Sequence, residues 1–457
     1  MARAPGLAEL DPLRMVQVLN HAEQRRNIQA VAELLRKMDL AGHDPLLLYN
    51  FQAVLFRALY RAQQADADIS RALGRLADGK GPDWMGRHDA ATLTYLAPAW
   101  TPACVQNSRE PADWELERVV ARRVVRQLQD IGDGFAWRVH RFDRRVIVAL
   151  ADHPPVGPIV GKAGLGYEIG RIVERFRESG EFSLFHDLTT VLRHHDLTEV
   201  HADGYRELRE IKTRLTPSAV AKASKQRRQA EAALAAATGT ASLGNDGPRL
   251  LRSDSQLRTH VRELSSVMVV AQRDGYVVTR VHDRLVGMLY FPTLAAPAYD
   301  PEELYGRYRA RMDAALDRHL PAAATRLHAR IGFTEARDAF FAPYSIYPLP
   351  AAQRAALICD VAMVETLMDP DIVCRGFHDL GLQARCLLGP GSPPDADVFE
   401  VHDGRTRLTV HARAVSQLLF EFVQIPCFVR AFAANLGHSS PNGRAILTFS
   451  NEQRAWR

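Results

Sequence analysis

Glu210 and Lys212 close the stretch Asp196-Leu-Thr-Glu-Val-His-Ala-Asp-Gly-Tyr-Arg-Glu-Leu-Arg-Glu-Ile-Lys212, which Asp196 opens. Side chains alternate along a strand, so Glu210 and Lys212 share one face, roughly 7 Å apart at the backbone. Asp203-Gly204 supplies the positive φ values of a two-residue hairpin turn, which returns the chain to the end where Asp196 lies. Two carboxylates and an amine then converge, and the Ile211 carbonyl adds another oxygen. Such a set suits Mg²⁺ or Mn²⁺, an activated water and a phosphate. Lys212 would orient that water and neutralise charge, with general-base action as a further hypothesis.

The elements around these residues must place them. Leu165, Ile169, Ile172, Val173 and Phe176 fall on one arc of a helix over 164–178, with Glu168 at its edge and Glu174 on the solvent side. After Lys212, Thr216-Pro217 caps a helix to about Ala237. Its Lys222, Lys225, Gln226 and Arg228, with His195, are candidates to hold a nucleic-acid backbone. From Tyr205 to Arg228 there are eight basic residues and two acids, an electrostatic footprint that suits a phosphodiester.

An acid opening one strand, Glu-x-Lys closing the next and a basic helix after it resemble the PD-(D/E)XK nuclease superfamily. Asp196 matches the first acid, and Glu210-Ile211-Lys212 matches the (D/E)-x-K. His195 stands where that motif has proline, and the match covers about residues 160–290. The resemblance implies a restriction-endonuclease-like mixed sheet flanked by helices, an α/β fold. It also implies a metal-dependent nuclease, with DNA as the first substrate and RNA as the alternative, and roles in restriction, repair or anti-phage defence. It makes Glu168 the helix glutamate that leans toward the metal.

At 457 residues the chain has room for several cores. A hydrophobic fraction of 47% with 24% charged residues describes a globular chain rather than a disordered one. No run of 18 apolar residues suggests a membrane span, and the N-terminus lacks an apolar signal core. Five cysteines without Cys-x-x-Cys spacing argue against a disulfide framework and fit a reducing cytoplasm. The net charge of +5 is small for this length.

Four segments are expected. Residues 1–95 read as a helical N-terminal region, with Asp44-Pro45 opening a helix. Residues 112–155 read as a connector: a helix from Asp113 to Asp130, ending before Gly132, then a hairpin of Phe135–Phe142 with Val146–Leu150. Residues 160–292 form the nuclease-like domain, its sheet extended by Val267–Ala271 and Tyr276–Val281 turning at Asp274-Gly275, then by Leu285–Tyr290. Residues 300–457 form a mixed α+β region. There, a helix from Asp300-Pro301, a buried helix over Ala351–Leu367, a hairpin across Asp403-Gly404 and a helix broken near Pro426 are expected.

Several rival readings stand beside this one. Asp187 competes with Asp196 as the first acid. His186, His194, His195 and His201 suggest zinc, but their spacing fits no common motif. Gly161-Lys-Ala-Gly-Leu-Gly166 lacks the order of a phosphate-binding loop and reads as a flexible helix entrance. Glu-x-Lys alone is common and usually makes an exposed ion pair. The competing function class is a catalytically inactive nucleic-acid-binding or scaffold protein with the same fold. A third is an interaction module on the N-terminal helices, which expects a protein partner; for the chain as a whole, a second copy or a regulatory protein is a further candidate partner.

Overall fold

Asp44 caps a helix as its residue type dictates, its carboxylate accepting from the Leu46 and Leu47 N–H groups at 2.9 and 3.0 Å. Pro45 follows in the first turn, where its missing N–H costs nothing. In the computed structural model this opens α2 (Pro45–Ala77), after α1 (Ala22–Ala41). The structure describes residues 17–80, 110–151, 157–193, 195–204, 206–211, 249–253, 256–291, 301–320, 326–331, 341–389, 392, 396–436 and 445–449. Lys212, Lys222, Lys225, Gln226 and Arg228 lie outside them, as do His194, the expected helix over 216–237 and residues 81–109.

Helix α3 runs from Pro111 to Val139 and α4 from Arg144 to Ala151. The expected helix end before Gly132 and the hairpin after it are therefore corrected. Gly132 breaks nothing, because it answers a packing demand. A Cβ there would lie 1.9 Å from the Leu188 carbonyl oxygen, so only glycine lets α3 approach that backbone. Asp133, beside it, accepts from the Thr190 and Val191 N–H groups at 2.5 and 3.2 Å and from the Thr190 hydroxyl at 2.6 Å.

The chain divides into two compact units. The first holds residues 1–139 and 150–231, the second 140–149 and 232–457. In the first unit, α5 (Leu165–Ser179) leads into β1 (Phe182–Phe185), a 3-10 turn over His186–Leu188, β2 (Leu197–Val200) and β3 (Arg206–Arg209). The strands form one antiparallel sheet in the order β1-β2-β3. Phe135 packs edge-on against Phe51 and Phe182, with ring centroids 4.8 and 5.6 Å away, so α2, α3 and β1 share a core. Buried Gln52 of α2 hydrogen-bonds the edge strand twice, donating to the Ser183 carbonyl and accepting from the Phe185 N–H, each at 2.9 Å. Those bonds satisfy backbone groups that an edge strand would leave open.

The β2–β3 connection departs from the expected two-residue turn. Val200 pairs with Arg206 and Leu197 with Arg209, so the loop spans 201–205, with Gly204 at φ +80°. A two-residue turn at 203–204 would put Asp196 opposite Ile211. The observed ladder is one position out from that, which on a pleated strand exchanges the two faces.

In the second unit, a four-stranded antiparallel sheet has the order β5-β6-β8-β7. Its strands are β5 (Tyr276–Val281), β6 (Arg284–Tyr290), β7 (Leu327–Ile331) and β8 (Ala362–Met368). It is not hydrogen-bonded to β1-β2-β3, so the expected extension of that sheet is corrected. Val267–Ala271 is not a strand; it lies in α6 (Glu263–Asp274), whose Leu264, Val267, Met268 and Ala271 are buried at helical spacing. Gly275, at φ +82°, ends that helix. The expected helix over 351–367 resolves into α8 (Ala351–Ile358) and then β8, buried at every position. A run that is apolar on both faces suits a central strand as well as a buried helix.

Other expectations hold. Helix α7 (Pro301–His319) follows Asp300; α9 (Pro370–His378) precedes β9 (Gln383–Cys386), which pairs with β10 (Asp397–His402), and β10 pairs with β11 (Arg407–His411) across Asp403 and Gly404. The last helix is broken at Pro426 into α10 (Ala412–Phe420) and α11 (Ile425–Ala433). The coarse class, helices combined with several sheets, is as expected; the sheet carrying Asp196 is antiparallel throughout rather than mixed, and the parallel pairing among the described strands is that of β4 (Arg249–Ser253) with β12 (Ala445–Phe449). No helix among the described residues is long and apolar enough to cross a membrane.

Candidate functional site: a carboxylate cluster around Lys162

Three carboxylates meet at one ammonium group in the first unit. The Lys162 Nζ lies 2.6 Å from Asp187 Oδ2, 2.8 Å from Glu168 Oε2 and 3.7 Å from Asp196 Oδ1. Each arrives from a different element. Glu168 sits in the first turn of α5, buried as its place on the apolar edge implies, whereas Glu174 is exposed and pairs with Arg171. Asp187 lies in the 3-10 turn that α3 clamps through Gly132 and Asp133. Asp196 immediately precedes β2.

The end of the hairpin fixes Asp196 further. Its N–H donates to the Arg209 carbonyl at 3.0 Å, and its Oδ2 accepts from the Ile211 N–H at 2.6 Å. Glu210 is close enough to act on it electrostatically, and Glu210 Oε2 lies 3.5 Å from His195 Nδ1. His195 adopts φ +63°, a region few non-glycine residues visit, and its ring is buried. Its carbonyl lies 3.2 Å from His186 Nδ1, and His186 Nε2 lies 2.7 Å from the Thr198 hydroxyl. The strained residue therefore aims the chain at the point where the first acid begins.

Electrostatics set these groups apart from surface ion pairs. Burial holds the Glu168, Asp187 and Asp196 carboxyls above the usual carboxylate range. Lys162 pulls Glu168 and Asp187 partly back, the Ile211 N–H does the same for Asp196, and Glu210 pushes Asp196 further up. Burial alone would favour a neutral Lys162 amine, but Asp187 and Glu168 outweigh it and push its pKa up to about 12. Carboxylate oxygen is the donor a hard divalent cation requires; Lys162 Nζ stands among the three groups, and their oxygens do not all lie within 4.8 Å of one another.

Sequence reasoning singled out Glu168, Asp196 and Glu210 and treated Asp187 as a rival, whereas Asp187 and Asp196 both face Lys162. It missed Lys162. Gly161 and Gly164 both have positive φ, at 79° and 87°, and the turn they make leads into α5 and carries the lysine. The usable signal was a lysine between two glycines, one short turn before a buried glutamate. Lys162 also lines an open cavity of about 550 Å³ with Tyr49, Phe56, Arg57, Tyr60 and Phe185.

Of the histidines that suggested zinc, His186, His195 and His201 do not converge on one site. His186 and His195 lie before β2, while His201 follows it and pairs with Glu181 and Glu207 at 3.5 and 3.6 Å. No protein-family model, curated protein or solved structure matches this chain.

Proposed function

We propose that the chain is a metal-dependent nuclease that hydrolyses phosphodiester bonds, DNA first, on a restriction-endonuclease-like arrangement of α5, β1, β2 and β3. One observation carries this reading: the helix glutamate and the hairpin aspartate, remote in sequence, meet with Asp187 around Lys162, Glu168 and Asp187 buried and Asp196 half-buried. Glu168, Asp187 and Asp196 would hold Mg²⁺ or Mn²⁺, with Glu210 and the Ile211 carbonyl as the further oxygens the motif supplies. A bound divalent ion would polarise the phosphate and lower the pKa of an attacking water. Lys162 neutralises charge at the cluster, and Lys212 is proposed to orient the water. The buried surroundings of the carboxylates strengthen each of these interactions. Restriction or anti-phage defence is the setting that the resemblance favours.

Lys162 also supports a second reading. An ammonium at the centre of the cluster does what a cation would do, which favours an inactive nucleic-acid-binding scaffold that keeps the fold.

Cleavage of plasmid and single-stranded DNA with Mg²⁺, Mn²⁺ or EDTA separates the two. The nuclease reading expects metal-dependent cleavage that falls at least about a hundredfold in Asp196→Asn and Glu168→Gln, at or beyond the upper end of what disturbing a metal ligand's supports costs. DNA binding without cleavage in any metal, unaltered by either substitution, supports the scaffold instead.

A further inference from the structure

His260, Glu263 and His282 in the second unit form a group whose ligand-type atoms all lie within 4.8 Å of one another. Glu263 Oε1 lies 3.2 Å from His260 Nδ1 and 3.5 Å from His282 Nε2, so both rings address one carboxylate oxygen. The rings are stacked, with centroids 3.7 Å and planes 21° apart, so the exposed His282 ring must turn about its side-chain bonds for both in-plane lone pairs to meet one ion. We propose that these three residues bind a late first-row divalent ion of the Zn²⁺, Co²⁺ or Ni²⁺ class.

The chemistry follows from the donors. Two imidazole nitrogens and one carboxylate suit zinc and its neighbours, whereas Mg²⁺ prefers oxygen. Burial is graded across the set: the His260 side chain is 8% exposed, Glu263 44% and His282 52%. One ligand is thus anchored and two face water, which leaves coordination positions open, as in zinc sites with three protein ligands. His260 is fixed through its main chain, its N–H donating to the Phe422 carbonyl at 2.9 Å.

The backbone supplies a second, independent observation. Val281 pairs with Arg284, so His282 and Asp283 make a two-residue turn, and His282 takes φ +53°. Glycine or asparagine would fill that position with less strain. A histidine there costs stability while delivering its ring to His260, and such outliers gather where a side chain has work to do. Arg284 lies buried beside His260, its guanidinium over the Phe422 ring, and opposes a cation. Glu263 and Asp283 act on that guanidinium from the other side of the balance.

The other group with this spacing, Glu199, His201 and Glu207, carries no such inference. Arg175 and Arg209 pair with Glu199 at 3.2 and 3.1 Å, and Arg209 pairs with Glu207 at 3.2 Å, so arginines already supply its positive charge.

The test uses the full, tag-free chain, stripped with EDTA and held in saturating Mg²⁺ so that oxygen-only sites are filled. Titration with Zn²⁺ by calorimetry and with Co²⁺ by visible absorption should each reveal one site. His260→Ala and His282→Gly should each weaken it at least about tenfold. His282→Gly should also keep or raise the melting temperature in EDTA, because glycine accepts the turn geometry. Failure of the parent to bind either ion under saturating Mg²⁺, or equal binding by both variants, would overturn the site. Cleavage activity plays no part in that readout.

Discussion

Lys162 is the residue whose removal says most about the cluster. Three carboxylates that repel one another, two of them buried and one half-buried, tolerate their shared position because an ammonium group stands among them. Lys162→Met keeps most of the side-chain length and removes the charge. The folded-state carboxyl pKa values, already raised, would rise further. A carboxyl raised on folding contributes stability below its unfolded pKa and loses that contribution as pH rises through the folded value. The variant should therefore be less stable than the parent by about 2–3 kcal/mol at pH 8, below the ~3–5 kcal/mol of a fully buried pair because Lys162 is 24% exposed. At pH 5 the gap should shrink. Urea denaturation at the two pH values checks this, and an equal loss at both would mean that the lysine's packing matters more than its charge. Adding Mg²⁺ at pH 8 should recover part of the loss if the carboxylates can accept a metal.

At the scale of elements, the acid-bearing 3-10 turn depends on a helix that touches no ligand. Gly132→Ala would force a methyl group against the Leu188 carbonyl, so the usual helix-propensity gain of about 1 kcal/mol should be overridden by a loss of about 2 kcal/mol or more. Asp133 makes a separate, pH-dependent contribution. Burial pushes its carboxyl up to about 7, against the hydrogen bonds from Thr190 and Val191 that pull it down. Stability from this group is present at acid pH and lost as pH rises through 7, so Asp133→Asn should flatten the parent's decline between pH 5.5 and 8.5, read by chemical denaturation. If the decline is unchanged, Asp133 does not titrate there. Local grammar made much of this legible in the sequence: the cap at Asp44, the arc that buries Glu168 and the hairpin carrying Asp196 and Glu210. What it hid was non-local. Gly132 looks like a helix end until Leu188 is packed against it, and Ala362–Met368 becomes a strand because β6 and β7 flank it. The Asp-Gly pair marks the hairpin but not its loop length, and the loop length sets which face each acid occupies.

For the whole molecule, two compact units with separate cores should not unfold as one two-state body. In the second unit Arg144 and Glu421, both almost fully buried, are joined by two hydrogen bonds of 2.8 Å, and the Ala342 N–H donates to Glu421 at 2.7 Å. Glu421→Ala removes the carboxylate that a buried guanidinium and a backbone N–H both donate to, a change worth about 3–5 kcal/mol. The proposed Mg²⁺ site lies wholly in the first unit, and there metal and protons compete for the same carboxylates. Metal should therefore stabilise more at pH 8 than at pH 5, where protonation has already relieved the repulsion. Calorimetric melting should resolve two transitions, of which Glu421→Ala lowers one and Mg²⁺ raises the other at pH 8. A single transition moved by both would mean that the units melt together. Two transitions with neither responding to Mg²⁺ would leave the carboxylate cluster with its lysine as sole counter-ion, and the scaffold reading would then replace the nuclease.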